Sequence, residues 1–579
     1  MAEIGAGRTI GPVATGHRVR GGSKSAPFSL AIHRSEGMAL LAMNWRRRRP
    51  PEDFVGFGIR YFPPGSTRAL NVTNRLSFAG TPPPVRRQPS MKAPIQKFRW
   101  IHFPADAEKP GAFRYVVTPM FMDADDRLHP GDAQEAALEL SRETFPGAVN
   151  VAFTRGFVSS QAFVDRFQSA GPINTLLPPS ADQGLTFVPT HPKAAAALEW
   201  MGFEARRSVL ELLDQAIADP TATVRVVAYD LSEGELVGRL ERLGDRLRII
   251  IDDSKDHGEH DSGESQAAER LLASAGPANV KRQHMGNLQH NKTIVVTGPN
   301  VQKAVCGSTN FSWRGFFVQN NNAVVLTGAA AVAPFADAFE RYFAGGPTAF
   351  GRSPSADWID LQLKGVDAQV TFSPHGADKL KLAEVAADIA SARSSVLYSL
   401  AFLHQTGGAV RQAITAVTEN PAIFVAGIAD KAVGGINVQT PNGNVAPVFP
   451  AALTHNVPVP FSKEPTGGGG IRMHHKFVVI DFDKPTARVY FGSYNFSGPA
   501  DKENGENLIR VRDRRIATAY AVEAVRIFDH YEFRVKQQDA DTAQRELRLR
   551  KPPRAAGEVP WFAKDFKEPH RILDRKLFV

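Results

Sequence analysis

The chain has 579 residues and a net charge of +10 at pH 7, and 43% of its residues are hydrophobic and 22% charged. This length exceeds what one hydrophobic core usually serves, so we expect two or three globular domains. The single cysteine, Cys306, excludes an intrachain disulfide and a cysteine-rich metal site.

The first residues of the chain carry no apolar segment of the signal-peptide kind, and no run of about 18 apolar residues occurs further on. We therefore expect no membrane-spanning helix. A cytoplasmic location is the default interpretation, and export by a route without a cleaved signal stays open.

Positive charge is concentrated at the beginning of the chain. The first 100 residues contain about 17 Lys and Arg but only about 4 acidic residues, with a peak at Arg46-Arg47-Arg48-Arg49. Such a region suits a polyanion, either nucleic acid or an anionic membrane surface. A solvated basic face is an equally good interpretation.

The amino-terminal part of the sequence changes character twice. Residues 1–26 are rich in Gly, Ser and Arg, which predicts a flexible basic N-terminus. From 27 to 167, short apolar runs such as Phe54–Tyr61 alternate with Pro and Gly turns, a spacing typical of an all-β sandwich of the immunoglobulin or fibronectin type. Residues 168–193 are rich in Pro, Ser and Gly and are interpreted as a linker.

Helical and strand patterns alternate after residue 193, which predicts an α/β fold. The alternation restarts near residue 351, so the chain from 194 to 534 is expected to contain two similar lobes, 194–350 and 351–534. The last residues, 535–579, contain enough apolar side chains to dock on the body of the protein.

One composite motif occurs once in each half. A His-x-Lys strand is followed, after a short turn, by a Gly-Ser-x-Asn segment. The matching residues are His290, Lys292, Gly307, Ser308 and Asn310 in the first copy, and His474, Lys476, Gly492, Ser493 and Asn495 in the second. The spacing from His to Gly is 307 − 290 = 17 in one copy and 492 − 474 = 18 in the other, which is hard to obtain by chance.

These residue types fit the chemistry of a phosphodiester. His and Lys two positions apart on a strand point to the same face, and the glycine permits a close approach of the backbone. Two halves that face each other can hold the charged oxygens with two Lys and two Asn, while one His attacks phosphorus and the other protonates the leaving oxygen. No carboxylate cluster suited to Mg²⁺ accompanies the motif, so neither a metal nor a cofactor is expected.

The two motifs resemble those of the phospholipase D superfamily, in which H-x-K-x(4)-D is followed by G-S-x-N. The resemblance covers about residues 194–534. It implies two α/β lobes that meet at one pseudo-twofold active site, and a covalent phosphohistidine formed without metal. It also implies that His290 is the nucleophile and His474 the general acid, then base. The remaining implied site residues are Lys292, Lys476, Asn310 and Asn495 as catalytic groups, and Ser308 and Ser493 as substrate-binding groups.

The two copies differ from each other at the position of the family's aspartate. The second copy has Asp481 there, whereas the first has Thr297. An odd number of residues along a strand separates this position from His and Lys, so its side chain is expected to face away from them and to support the fold.

A second difference concerns the group that orients the histidine. Glu506 follows His474 by 506 − 474 = 32 residues, where a carboxylate can hold the imidazole. Asn321 or Asn322 takes this place in the first half. This spacing predicts that Glu506 partners His474 and makes it the more basic of the two histidines.

Other polar residues have plainer interpretations. His475 points to the opposite face of its strand and is expected to pack. The run from 252 to 261 contains acids and histidines, but it lies in a Gly/Ser-rich stretch, and a solvated loop is a better interpretation than a metal site. His284 and His375 either line the pocket or have no role, and Cys306 is expected to be buried.

The predicted reaction is cleavage of a phosphodiester, or its transfer to another alcohol, through a covalent phosphohistidine. The favoured substrate is a phospholipid, with the basic β-sandwich against an anionic membrane surface. The alternative is a nuclease or other nucleic-acid phosphodiesterase with the same mechanism, and a third possibility is a catalytically inactive binding scaffold. Because one chain carries both half-sites, no obligatory oligomer is expected.

Overall fold

The computed structural model describes residues 16–80, 87–104, 107–140, 143–156, 160–401, 403, 408–430, 436–442, 444–448 and 473–579. The chain divides into two compact units. The first, called the β unit, comprises Met1–Arg142 and Ala543–Val579, and the second, called the duplicated unit, comprises Glu143–Thr542. The fold therefore combines an all-β region with a duplicated α/β region, which confirms the predicted fold class.

Two antiparallel sheets form the β unit. The strands of the first sheet are, in spatial order, Arg18–Arg20, Phe28–Ser35, Met38–Trp45 and Arg99–His102. Those of the second sheet are Leu128–Pro130, Ala112–Met122, Phe54–Phe62 and Leu70–Asn71, with Gln134–Glu139 also paired to Ala112–Met122. Two short strands, Thr73–Asn74 and Gln88–Pro89, pair with each other.

Side chains from both sheets meet in one core. Phe28 of the first sheet and Phe57 of the second are fully buried, with ring centroids 5.1 Å apart. Leu41 and Tyr115 are buried in the same cluster. Each such side chain stabilises the fold by about 1.5–3 kcal/mol relative to exposure, so this core holds the two sheets together as a sandwich.

The amino-terminal segment is more ordered than its composition suggests. Arg18–Arg20 pairs with Phe28–Ser35, and Ala26 is buried, so the described part of the predicted flexible segment belongs to the sandwich. The remainder of that prediction, residues 1–15, lies outside the described residues.

The last part of the chain docks on the sandwich. Phe562 is buried in the core, and the indole N–H of Trp561 donates to the carbonyl of Phe54 at 3.0 Å. A helix, Pro569–Leu577, follows. The docking segment starts after Thr542 and not at residue 535, because the preceding helix continues that far within the duplicated unit.

The duplicated unit contains two mixed sheets. The first has seven strands, in the order Val149–Phe153, Asn322–Thr327, Gln302–Gly307, Lys292–Thr297, Thr223–Ala228, Leu247–Ile251 and Val280–Arg282. The second has nine, in the order Ile359–Asp360, Asp367–Ser373, Glu506–Arg512, Arg488–Gly492, Lys476–Ile480, Ser395–Leu400, Phe424–Asp430, Ile436–Gln439 and Val445–Val448. Six consecutive strands of the first sheet, starting from Val149–Phe153, match six of the second sheet, starting from Asp367–Ser373. The matching strands have the same order and the same relative directions.

Helices cover these sheets. The described α-helices of the unit are Ser160–Phe167, Ala194–Ala218, Gly234–Glu241, Gly263–Ala275, Trp313–Phe317, Ala329–Ala344, Pro347–Gly351, Leu382–Ala390, Ala409–Thr418, Gly498–Lys502 and Arg514–Thr542. The last of them joins the two lobes, since its Tyr520 packs against Phe153 of the first sheet at 5.4 Å and Phe477 of the second at 5.1 Å.

The first lobe begins earlier than the sequence predicts. Val149–Phe153 pairs with Asn322–Thr327, so the β-sandwich ends before residue 143 and does not extend to 167. The stretch interpreted as a linker, 168–193, is packed within the duplicated unit, where Leu176 is buried and the Gly184 carbonyl accepts the Trp313 indole N–H at 2.8 Å. A short apolar strand has the same pattern at the edge of either kind of sheet, which is why its sequence did not locate the boundary.

Within the described ranges, no helix combines the length and the apolar character that are needed to span a bilayer.

Candidate active site

Two β-bridges between the lobes create the site. Gln289 pairs with Gly505, and Asn320 pairs with Met473. The next residue of each pair is therefore brought close to its counterpart in the other lobe. In this way His290 meets Glu506, and Asn321 meets His474.

The two motif histidines face each other in the interior. The ring centroids of His290 and His474 are 6.1 Å apart, and the two residues are only 5% and 3% exposed. The structure thus brings both predicted half-sites into a single pocket.

A carboxylate orients one ring and an amide the other. Nδ1 of His290 lies 2.7 Å from Oε2 of Glu506. Nδ1 of His474 lies 2.8 Å from Oδ1 of Asn321 and 2.9 Å from the carbonyl oxygen of Ser308. Carbonyl oxygens only accept hydrogen bonds, so Nδ1 of His474 carries a hydrogen, and Nε2 is the nitrogen left for chemistry.

The predicted pairing of Glu506 with His474 is wrong. Glu506 belongs to the same lobe as His474 and follows it in sequence, but the bridge at Gly505 carries its carboxylate to the histidine of the opposite lobe. Asn321 makes the equivalent crossing to His474. Each half therefore supplies the group that holds the histidine of the other half, and His290 is the histidine held by a carboxylate.

The motif serines hold these supports. The Ser308 hydroxyl donates to Oδ1 of Asn321 at 3.0 Å, and the Asn321 amide donates to the Gly315 carbonyl at 2.9 Å. Ser493 is hydrogen bonded to Glu506 in the same manner. Both serines are fully buried, and these contacts position the two supports; their contact with substrate stays a prediction.

The motif lysines and asparagines complete the pocket. Nζ of Lys476 donates to the His474 carbonyl at 2.8 Å, and Nζ of Lys292 donates to the His290 carbonyl. The Oδ1 atoms of Asn310 and Asn495, in the two Gly-Ser-x-Asn segments, are buried without a hydrogen-bond partner among the described residues. This leaves polar groups for an additional ligand.

Burial and charge shift the pKa values of the site. Burial, together with the ammonium groups of Lys292 and Lys476, lowers the pKa of both His290 and His474 well below the usual value. Burial also lowers the pKa of Lys292 and raises that of Glu506 to about 8, although the two lysines oppose the latter shift. An anion in the pocket would raise the lowered pKa values of the two histidines and of Lys292, because negative charge favours their protonated forms.

Glycines allow the close packing behind the histidines. Gly307 and Gly492 have φ values of 127° and 146°, which side chains rarely adopt. A Cβ at either position would also collide with a carbonyl oxygen, that of Asn322 or Asn507. The sequence correctly predicted a close approach of the backbone at these two positions.

Comparison with known proteins identifies the family to which the two half-sites belong. A family model described as "Cardiolipin synthase, PLD-like domain" matches residues 213–343 and 385–528, one stretch for each half-site. The chain belongs to the phospholipase D superfamily.

Individual relatives are distant or match over short stretches. The chain is 45% identical over 47 residues to a phospholipase D of Rickettsia felis, which covers 8% of this chain and 22% of that protein. The match thus spans about a fifth of the length of this curated relative.

Two solved structures of relatives also overlap with the chain. Phosphatidylserine synthase of Haemophilus influenzae overlaps with 58% of this chain and 91% of its own, at 11% identity and a TM-score of 0.40. Nuc of Salmonella typhimurium, a phospholipase D family member, overlaps with 23% of this chain and 85% of its own, at 22% identity and a TM-score of 0.20. These overlaps carry no conclusion about the substrate.

The aspartate of the superfamily motif lies away from the pocket. Asp481 follows the far end of the strand that begins at Lys476, and its carboxylate accepts the backbone N–H groups of Arg393, Ser394 and Ser395 at 2.7–3.2 Å. In the first half Thr297 occupies this place, and its hydroxyl lies 2.9 Å from that of Thr223.

A cluster beside the first half-site was not recognised in the sequence. Asp252 is fully buried, accepts the backbone N–H of Gln289 at 2.6 Å, and lies 2.9 Å from Nδ1 of His257. The expectation of a solvated loop is therefore wrong for these two residues. Because Gln289 precedes His290, Asp252 also fixes the backbone just before the motif strand Lys292–Thr297.

Tyr229 and Asp230 connect this cluster to the pocket. The Tyr229 ring lies between His257 and His290, with centroid distances of 4.5 and 4.6 Å, and Nζ of Lys292 lies 4.6 Å from its centre. Burial alone would lower the pKa of His257, but hydrogen bonds to Asp230 and Asp252 outweigh burial and raise it to about 10. This position therefore favours positive charge.

The remaining histidines have supporting contacts. His375 is buried, with Nδ1 2.7 Å from Asp501 and Nε2 2.9 Å from the Thr371 hydroxyl. His284 is exposed and faces Asp253 at 2.8 Å. The structure places His475 on the opposite face of its strand, where it packs against Glu523 and Phe153, and it places Cys306 in the interior.

Proposed function

We propose that this protein is a phospholipase D-type phosphodiesterase that acts on phospholipids through a covalent phosphohistidine. The observation that carries the proposal is the pair of buried imidazoles with ring centroids 6.1 Å apart, each held at Nδ1. A phosphorus atom between them can be attacked by Nε2 of one ring while the other ring serves the leaving oxygen.

In the first step His290 is the nucleophile. Its Nε2 forms a bond to phosphorus, and the bond from phosphorus to the leaving alcohol oxygen breaks. The phosphorylated ring carries positive charge, which lowers the pKa of the adjacent Glu506 from about 8 and is stabilised by the carboxylate that then ionises. Asn321 offers no charge, so His474 is free to give up the proton that neutralises the leaving oxygen.

In the second step the phosphohistidine is resolved. Water, or another alcohol, attacks phosphorus, and His474 takes the proton from the attacking oxygen. The bond to His290 breaks, which restores His290 as a neutral imidazole and His474 as the protonated general acid. Hydrolysis releases phosphatidate, whereas attack by an alcohol transfers the phosphatidyl group.

The lysines and asparagines hold the charged oxygens. The ammonium groups of Lys292 and Lys476 enter the pocket from the two halves and offset the negative charge on the phosphoryl oxygens. The Asn310 and Asn495 side chains add neutral amide groups. Bound phosphodiester raises the pKa of His474, since opposite charge favours the imidazolium, and this makes the general acid available.

Two features support a lipid substrate. The family model and the short match to a phospholipase D both concern lipid enzymes by name. In the β unit, the side chains of Arg46–Arg49 are exposed, which suits the negative surface of an anionic membrane.

A paired assay with EDTA present tests this proposal. Purified full-length chain is offered vesicles of phosphatidylcholine and phosphatidylglycerol, and in parallel single-stranded and duplex DNA. We expect phosphatidate from the vesicles, loss of this activity in His290→Ala and His474→Ala, and no change in the exposed-site control His284→Ala. Cleavage of DNA alone would redirect the proposal to nucleic acid, and activity retained in both alanine variants would refute the site.

A further inference from the structure

We propose that Asp230, His257 and Glu264 bind a divalent cation of the Mn²⁺ or Zn²⁺ class beside the first half-site. One oxygen or nitrogen atom from each of the three side chains lies within 4.8 Å of the other two. Two ligand atoms that are each about 2.1 Å from one ion are separated by up to about 4.2 Å, so small side-chain adjustments bring all three into coordination.

Contacts outside the three ligands already orient them. Asp252 engages Nδ1 of His257, which turns Nε2 towards Asp230 at 3.3 Å. This is the arrangement of a carboxylate, a histidine and a metal in which the carboxylate fixes the ring. Asp252 is itself held by the N–H of Ser254 at 3.0 Å and that of Gln289 at 2.6 Å.

Each carboxylate has one oxygen held and one available. The Ser312 hydroxyl donates to Oδ2 of Asp230 at 3.2 Å, so Oδ1 is the atom that faces His257. The Leu231 N–H donates to Oε1 of Glu264 at 2.9 Å, and Glu264 is only 5% exposed. His257 and Asp230 are 18% and 21% exposed at their side chains, which leaves a path for an ion to enter.

The donor set selects the class of cation. Imidazole favours Zn²⁺ and other transition metals, whereas carboxylates alone favour Mg²⁺ and Ca²⁺, so the mixture fits Mn²⁺ or Zn²⁺ best. The Tyr229 ring separates His257 from His290. The cation would therefore not touch the phosphodiester. It would link the end of the strand Thr223–Ala228 to the helix Gly263–Ala275 and so stabilise this side of the pocket.

Direct binding tests the site. Chelator-treated full-length chain is titrated with Mn²⁺ and Zn²⁺ by calorimetry, with Mg²⁺ as a comparison. We expect one ion per chain and a binding constant lowered at least about 10-fold in Asp230→Asn and in Glu264→Gln. The control is His284→Ala, which removes an exposed histidine near an aspartate in the same lobe and should bind as wild type does.

Terbium luminescence locates the ion without altering a ligand. Tb³⁺ that occupies the cluster is excited through the ring of Tyr229, so Tyr229→Phe should lose most of the tyrosine-sensitised emission that Mn²⁺ displaces. The calorimetric affinity for Mn²⁺ should stay within about 3-fold of wild type in this variant, since no ligand changes.

Each outcome decides the proposal. Absence of binding to the folded wild-type chain at about 1 mM ion overturns it, as does equal loss of affinity in His284→Ala and Asp230→Asn. If Asp230→Asn does not fold, Glu264→Gln and the luminescence of Tyr229→Phe give the answer. The phosphodiesterase proposal is tested in EDTA, so either proposal can fail without the other.

Discussion

Nδ1 of His290 and Oε2 of Glu506 lie 2.7 Å apart although 216 residues separate them in the chain and they belong to different lobes. The equivalent contact in the other direction joins His474 to the amide of Asn321 at 2.8 Å. A pseudo-twofold pocket is thereby made unequal by one carboxylate. This inequality supports the division of roles, because a phosphorylated imidazolium benefits from a carboxylate and a proton donor does not need one.

The buried carboxylate of Glu506 should contribute strongly to turnover. Glu506→Gln keeps the shape and a hydrogen-bond acceptor but removes the charge that stabilises phosphorylated His290. We expect kcat to fall by about 10²- to 10³-fold with the fold intact. Steady-state kinetics and thermal melting measure this, and Glu503→Gln, the same change at an exposed position in the same lobe, should be neutral. Equal kcat in Glu506→Gln and wild type would contradict the role.

Placing a carboxylate on the other histidine should move the pH profile. In Asn321→Asp the new charge favours the imidazolium form of His474, so the pKa of His474 rises. The general acid then stays protonated to higher pH, and the alkaline limb of the kcat profile should move up by about 1 to 3 pH units. Asn420→Asp adds the same charge at an exposed turn and should leave the profile unchanged. A shift of the alkaline limb towards lower pH would contradict the role of His474 as general acid.

A substrate whose leaving group needs no proton should distinguish the roles of the two histidines. His474→Ala is expected to lose about 10²- to 10⁴-fold on phospholipid. On a p-nitrophenyl phosphodiester it should still release about one nitrophenolate per chain in a burst and then turn over slowly, because only resolution of the intermediate needs the base. His290→Ala should give no burst. Rapid-mixing absorbance records both, and the reverse pattern would exchange the assigned roles.

The motif aspartate should affect stability and not chemistry. Asp481→Ala removes the acceptor of the buried backbone N–H groups of Ser394 and Ser395 and of the partly buried N–H of Arg393, so we expect the free energy of unfolding to fall by about 3 kcal/mol. The kcat of the folded fraction should change less than about 2-fold. Thr297→Ala, the equivalent change in the first half, should cost under about 1 kcal/mol. Loss of kcat at unchanged stability would contradict this placement.

The motif residues that meet in the site could be predicted from the sequence because the motif is local. His, Lys, Gly, Ser and Asn stand close together in each copy, and their alternation on a strand already implies one shared face. The presence of two similar α/β lobes was predicted from the repeat. The close approach of the backbone at Gly307 and Gly492 was likewise predicted from residue type alone.

Contacts between distant segments were not available in the sequence. The pairing of Glu506 with His290 depends on the bridge between Gln289 and Gly505, which joins strand ends of different lobes. The strand Val149–Phe153 has the same pattern in either domain, and only its partner Asn322–Thr327 decides between them. The cluster of Asp230, His257 and Glu264 draws its members from a strand end, a turn and a helix.

Formation of one phosphohistidine, on His290, can be observed directly. Wild type and His474→Ala are mixed with a short-chain phosphatidylcholine, quenched in alkali within the first turnover, digested and analysed by mass spectrometry. We expect a phosphatidyl or phosphoryl group on the peptide that contains His290, and its accumulation in His474→Ala. The same group on the peptide that contains His474, or turnover of substrate with neither histidine modified, would contradict it.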